Sequence, residues 1–258
     1  MGLTKICNPH TLTTAFLTRR KTVNNHRTSA EDFRAAQLAA MPRWYSPFAH
    51  LAGTLSVGVI AVALALTMVH HVHWYEFLVC PIAFLFANFF EWWAHKNILH
   101  RPQPFLRDLY EKHTPLHHHI YRWGDMAIRD RRELRFVLVP ASGVLGIVLS
   151  ASPVAFALGL LFTSNVGWIA LMTMALYVIM YEMTHLTYHL PETHILHRLP
   201  FVDKLAEHHA RHHDLTFMGR WNFNVTIPLA DFVLGTFVPK KVLSARRKKV
   251  GLLTRTQK

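Results

Sequence analysis

Between Glu207 and Asp214 the chain reads EHHARHHD, with histidine at four of eight positions. Three further boxes repeat the pattern: HKNILH (His95, His100), HTPLHHH (His113, His117, His118, His119) and HLTYH (His185, His189), with His208, His209, His212 and His213 in the fourth. Neutral imidazole is a good ligand for iron, zinc or copper, and a set of about ten is more than one metal can hold, so two metals are implied. An all-nitrogen set argues against the helix-bundle site built from Glu and Glu-x-x-His. The acidic residues expected close by are Glu91, Glu182 and Asp231, placed to hold ring N–H groups and fix tautomers.

Helical spacing explains the boxes internally. His113 and His117 are i, i+4, as are His185 and His189, while His209 sees His212 and His213 at i+3 and i+4, so each set projects from one face and can grip one metal. His95 and His100 are five apart and diverge on a regular helix. Pro102 pushes Arg101 out of the α region, so the helix is expected to fray there and let His100 swing back. In the triplet, taken as helix, His118 projects about 100° and His119 about 200° from His117. Two adjacent imidazoles can serve two metals, one each, which suits His117 and His118. Pro115 biases Thr114 towards an extended conformation and can reorient His113, so the choice within the triplet stays open. His208 is a close decoy for His209. The scattered histidines, His10, His26, His50, His70, His71, His73, His194 and His197, read as interfacial side chains with polar tips.

The elements that must position these boxes are apolar helices. No Lys or Arg occurs between Arg43 and Lys96, or between Arg135 and Arg198. The first gap splits into Ala49–Val69 and Trp74–Trp93 around the short connector His70–His73, each about 30 Å long as helix and so able to cross a bilayer. The second, Phe136–His189, is too long for one crossing and reads as two, with interruptions expected at Ser150–Pro153 and Thr163–Asn165. These segments lack the charged face of an amphipathic soluble bundle. The expected fold is therefore an all-α integral membrane protein of about four transmembrane helices with a helical cap carrying the boxes. Lys and Arg concentrate before residue 44, between Lys96 and Arg135, and after Arg198, which places both termini and the capped end on the cytoplasmic side. The expected division is a basic N-terminal segment (1–45), a membrane-embedded domain (46–237) and a basic tail (238–258).

The net charge of +13 does not point to nucleic acid, because the basic residues flank spans and are not interleaved with stacking aromatics. KKVLSARRKK reads as lying on anionic headgroups or as a solvated tail. Two cysteines are too few for a disulfide framework, a four-thiolate zinc site or an iron-sulfur cluster. The first 30 residues, free of Asp and Glu, have the look of a transit peptide. Ile6 stands where a myristoylation motif needs Ser or Thr. A haem-binding membrane cytochrome needs two histidines per haem within facing spans, and a histidine-lined metal transporter needs ligands near the bilayer middle. The interiors LSVGVIAVALAL and VGWIALMTMALYVIM have neither.

In order, HxxxxH, HxxxHH, HxxxH and HxxHH followed by NFNVTIPLADFVLGTF resemble the fatty acid hydroxylase superfamily of sterol desaturases, sterol methyl oxidases and sphingolipid hydroxylases, from about Asn88 to Thr236. The family's second box is commonly HxxHH, so the triplet is a departure. The resemblance implies metal ligation by His95, His100, His113, His117, His118, His185, His189, His209, His212 and His213. It implies two non-haem iron ions at the cytoplasmic face, O2 as oxidant, and a lipid substrate, acyl or sterol-like, entering between the spans. Hydrogen abstraction from an unactivated C–H bond, followed by hydroxylation or a second abstraction, gives an alcohol or an alkene. No GxGxxG fingerprint or fused cytochrome b5-like segment is visible, so a separate donor is expected, such as a cytochrome b5, ferredoxin or reductase. The bacterial inner membrane and the endoplasmic reticulum both suit such a chain.

Overall fold

Ser46 and Thr163 open two of the long helices in the same way: each side-chain hydroxyl accepts from the backbone N–H three residues on, satisfying a donor that has no partner within the helix. The computed structural model describes residues 30–255, and no strand occurs among them. We label the main helices α1 (Ala30–Ala39), α2 (Pro47–Met68), α3 (Val79–Ala94), α4 (Ala141–Leu161), α5 (Ser164–Tyr188), α6 (Val202–His212), α7 (Leu229–Val233) and α8 (Lys240–Arg255). Four helical stretches, Pro47–Met68, Trp74–Leu99, Arg131–Leu161 and Ser164–Tyr188, are long and apolar enough to cross a membrane. The protein is an integral membrane protein built from these helices. His10 and His26, with most of the 1–45 segment, lie outside the described residues.

One expected interruption is absent. α4 runs through Ser150–Pro153 without a break, and the chain turns only at Phe162 and Thr163. A break within the hydrocarbon would leave backbone groups with no water to bond, so the helix absorbs Pro153. The Ser150 and Ser152 hydroxyls donate to the carbonyls of Ile147 (2.7 Å) and Val148 (3.0 Å) on the preceding turn.

At the end remote from the boxes the two connectors are clasped together. Buried Glu76 accepts from the His73 N–H (2.8 Å), the Thr163 hydroxyl (2.5 Å) and the Asn165 amide (3.1 Å), while the Asn165 side chain also bonds both backbone groups of His70. α5 is the central helix, packed against α2, α3 and α4. Its approach to α4 is closest at Gly167, where a Cβ would stand 2.8 Å from the Ala155 carbonyl and 2.9 Å from the Gly159 Cα. By contrast α3 and α4 make little direct contact.

The opposite end is capped by the segments between α3 and α4 and after α5. α1 clamps this cap through Arg34, which is 5 % exposed. Its guanidinium donates to the carbonyls of Ile120 and Ala127, lies 3.4 Å from Glu133 and sits over the Tyr121 ring. A buried charge survives only with such partners.

Candidate metal centre

α3 does not fray past Ala94. It widens into a π-helical turn over His95–Leu99, in which the His100 N–H reaches the His95 carbonyl at 3.1 Å. A second π turn, Lys112–His117, carries Pro115 inside it. In a turn closed by i→i+5 bonds, residues five apart come round to one face. His95 therefore faces with His100, and His113 with His118.

Ring nitrogens from the four boxes converge in two groups of five: His95, His100, His113, His118 and His212, and His117, His185, His189, His209 and His213, the atoms of each group lying within 4.8 Å of one another. All are buried except His100, which is partly so. The i, i+4 pairs His185/His189 and His209/His213 each stay together. Two expectations from α-helical spacing are corrected: His113 and His117 fall in different groups, and so do His209 and His212. The neighbours His117/His118 and His212/His213 are split one to each group. His119 and His208 belong to neither. The His119 ring packs on Phe33 at 4.3 Å, and His208 Nε2 lies 3.1 Å from Asp231. His50, His70, His71, His73, His194 and His197 also stand apart from both groups.

The rings are oriented by backbone carbonyls rather than carboxylates. Nδ1 donates to Phe136 from His117 (2.8 Å), to Met126 from His189 (2.8 Å), to Trp221 from His212 (2.9 Å) and to Tyr121 from His213 (2.8 Å). His95 donates likewise to Phe223. Each carbonyl lies at a helix end or in a loop, where no intrahelical N–H claims it. Because a carbonyl only accepts, these five rings carry their proton on Nδ1 and leave Nε2 bare. The bare atoms point inward: His95 Nε2 is 2.9 Å from His113 Nε2, His212 Nε2 2.9 Å from His100 Nε2, and His213 Nε2 3.0 Å from His209 Nε2. Lone pairs brought together in this way call for a cation between them. The buried Nε2 of His117, Nδ1 of His118 and both ring nitrogens of His185 have no partner. The residues present thus fit metal ions.

Burial, with repulsion among neighbouring imidazoles, keeps the rings neutral and their lone pairs available. His113, His117, His118, His209 and His213 are held well below the ordinary imidazole value. Burial pushes His189 and His212 down to about 4 and His100 to about 2.

The expected role of Glu91, Glu182 and Asp231 differs from what the structure shows, for none of them hydrogen-bonds one of the ten converging histidines among the described residues. Glu91 accepts from the N–H groups of Val225 and Thr226 and from the hydroxyls of Tyr177 and Thr226. Asp231 accepts from the N–H groups of Phe223 (2.9 Å) and Asn224 (2.7 Å) and from the Thr236 hydroxyl (2.6 Å). Both carboxylates shape the strap 222–237, whose Phe223 carbonyl holds His95. Glu182 accepts from the Val139 N–H at 3.1 Å, at the entry to α4. Spacing gave no notice of the asparagines that finish this strap. Asn88, within α3, binds Tyr177, Ile227 and Ala230, and Asn224 binds the Asn88 carbonyl and the Asp231 N–H. A polar amide in an otherwise apolar span was the available signal.

Beside the first group lies a cavity of about 550 Å³ between α3, α4 and α5. Its walls are mostly apolar, and His95, Ile98 and Leu99 stand at its capped end.

A four-span helical membrane protein that gathers buried histidines beside an apolar cavity has the form of a metal-dependent enzyme acting on lipid. Residues 80–236, more than half of the chain, match the family described as fatty acid hydroxylase, and the chain belongs to that family. Membership points to a membrane lipid hydroxylase or desaturase. No curated protein and no solved structure was found to match the chain.

Proposed function

We propose that the protein is an O2-dependent, non-haem di-iron enzyme of lipid biosynthesis that hydroxylates or desaturates an unactivated C–H position of an acyl or sterol-like substrate. The observation that carries this reading is the convergence of ten imidazoles, nine of them buried, into two groups beside an apolar cavity. The first group would hold one iron and the second the other. Bound iron would supply the activation of O2, with electrons from a separate donor such as a cytochrome b5, ferredoxin or reductase.

The chain's own part is positional. Carbonyls of Phe136, Met126, Trp221, Tyr121 and Phe223 hold the Nδ1 protons, so the Nε2 atoms aim inward before any metal arrives. The cavity walls keep water from the reacting carbon and hold the hydrocarbon beside His95.

Full-length protein reconstituted with ferrous iron is expected to hold about two irons per chain. Lipid extracts of cells with and without the gene are expected to differ by products heavier by one oxygen or lighter by two hydrogens. Elemental analysis that settles at one metal, or at haem, would sink the reading.

On this reading the capped end faces the cytoplasm, at the bacterial inner membrane or the endoplasmic reticulum, and the concentration of Lys and Arg beside that end of the spans supports it. Reporter fusions after Lys96, Arg198 and Lys258 should accordingly all give cytoplasmic signals. An external signal from any one of them contradicts this orientation.

A further inference from the structure

We infer that Gly146 sets the bore of the cavity and so selects which hydrocarbon chains reach the histidines, the chain lying with its tail directed away from them. The inference rests on the cavity being the lipid site.

The part of α4 that lines the cavity combines small residues, Gly143, Gly146, Ser150 and Ala151, with Ile147 and Val148, and Phe90 of α3 and Tyr181 of α5 are among the other walls. Glycine inside a helix lowers stability relative to alanine, because it loses more backbone freedom on folding. Something must offset that cost. At Gly143 the reason is steric, since a Cβ would stand 2.6 Å from the Val139 Cγ1. At Gly146 no such reason exists: a Cβ would meet nothing within 4 Å, and the residue has no positive φ. Packing of α4 does not need this glycine. The space it leaves belongs to the cavity.

The direction of the chain follows from the shape of the cleft. Away from the cap, Val79, Ala83, Ala155, Ile169 and Met174 pack together and close it with apolar side chains. A polar headgroup driven into that end would lose its hydration with no partner. At the capped end the walls include His95 and Asp108, and the exposed Phe105 and Leu106 form a lip. Along α5 the wall residues run from Tyr181 to Leu171, about 15 Å of helix and so half of a hydrocarbon core of about 30 Å. The headgroup therefore stays near the cap, the carbon presented to the histidines lies close to it, and the tail runs past Gly146. That residue is about 7 Å into α4 from its capped end, so a side chain there obstructs the bore at a shallow level.

The test uses the full-length, iron-loaded protein in detergent and a stearic acid bearing a photoreactive diazirine at its terminal carbon. Illumination of the wild type and of Gly146→Ala should label peptides around Ser150–Ala155 or Ile169–Met174. Gly146→Phe should lower that labelling tenfold or more, and Gly146→Leu by less, with iron content and melting temperature unchanged. Equal labelling of these peptides in the wild type and Gly146→Phe overturns the inference. So does wild-type labelling confined to Phe105–Leu109, or none in the cleft. Gly146→Leu serves if the phenylalanine variant does not fold. Labelling needs no turnover, so failure of the di-iron reading, seen in metal content and products, is distinguishable from failure of this one.

Discussion

Alanine at His117 or at His118 is expected to abolish product formation and strip metal from the group that loses the ring, whereas alanine at His119 keeps most of both. His118 stands with His95, His100, His113 and His212, and His117 with His185, His189, His209 and His213, so each substitution damages a different group. Changing a partner that merely orients a metal ligand typically costs about 10–100-fold, so loss of a ligand itself should fall at or beyond the upper end of that range. His119 packs against Phe33 and contributes to neither group. Elemental analysis together with mass spectrometry of lipid products decides the matter. A His119→Ala protein as inactive and metal-poor as the other two would show that the doublet in use is His118 and His119.

The largest effect on stability is expected from Asp231→Ala. This side chain is fully buried and accepts from two backbone N–H groups, one hydroxyl and His208. Each buried donor left without an acceptor costs about 1–3 kcal/mol, so stranding the two fixed backbone N–H groups, with the hydroxyl and His208 free to reorient, is expected to cost about 2–6 kcal/mol, a large part of the 5–15 kcal/mol typical of a folded protein. Because the same loop carries the Phe223 carbonyl that orients His95, metal should be lost from the first group before the second. Asp231→Asn keeps one oxygen acceptor and should cost less. Thermal melts in detergent, with metal content measured on the surviving folded fraction, test both points. A melting temperature unchanged in Asp231→Ala would mean that the strap does not depend on this carboxylate.

Much of the fold was legible because a bilayer imposes its constraint locally. A run of apolar residues without charge must be a helix when no water can bond its backbone, so the four spans could be read from the two gaps in Lys and Arg. Placement of the boxes at span ends followed from the same gaps. A proline in a span was harder to read: Pro153 resembles a stop signal in water, yet the continuous helix costs less in hydrocarbon, and α4 continues through it.

Residue type and spacing marked out the four boxes, because so many imidazoles at the ends of apolar helices have little other use, and the family resemblance narrowed them to the ten histidines that converge. How they divide was decided by tertiary structure. On an ordinary α-helix His113 belongs with His117, but π turns at His95–Leu99 and Lys112–His117 bring His113 to His118 and His95 to His100. Whether a turn closes at i+4 or i+5 is a small local difference, settled by what the helix packs against, and no spacing rule carries that information. The partners of the rings were hidden for a related reason. Carbonyl oxygens are present at every residue, so only the folded chain shows that those of Phe136, Met126, Tyr121, Trp221 and Phe223 are the ones left free to face an imidazole, and that Glu91 and Asp231 bind the backbone of the strap instead.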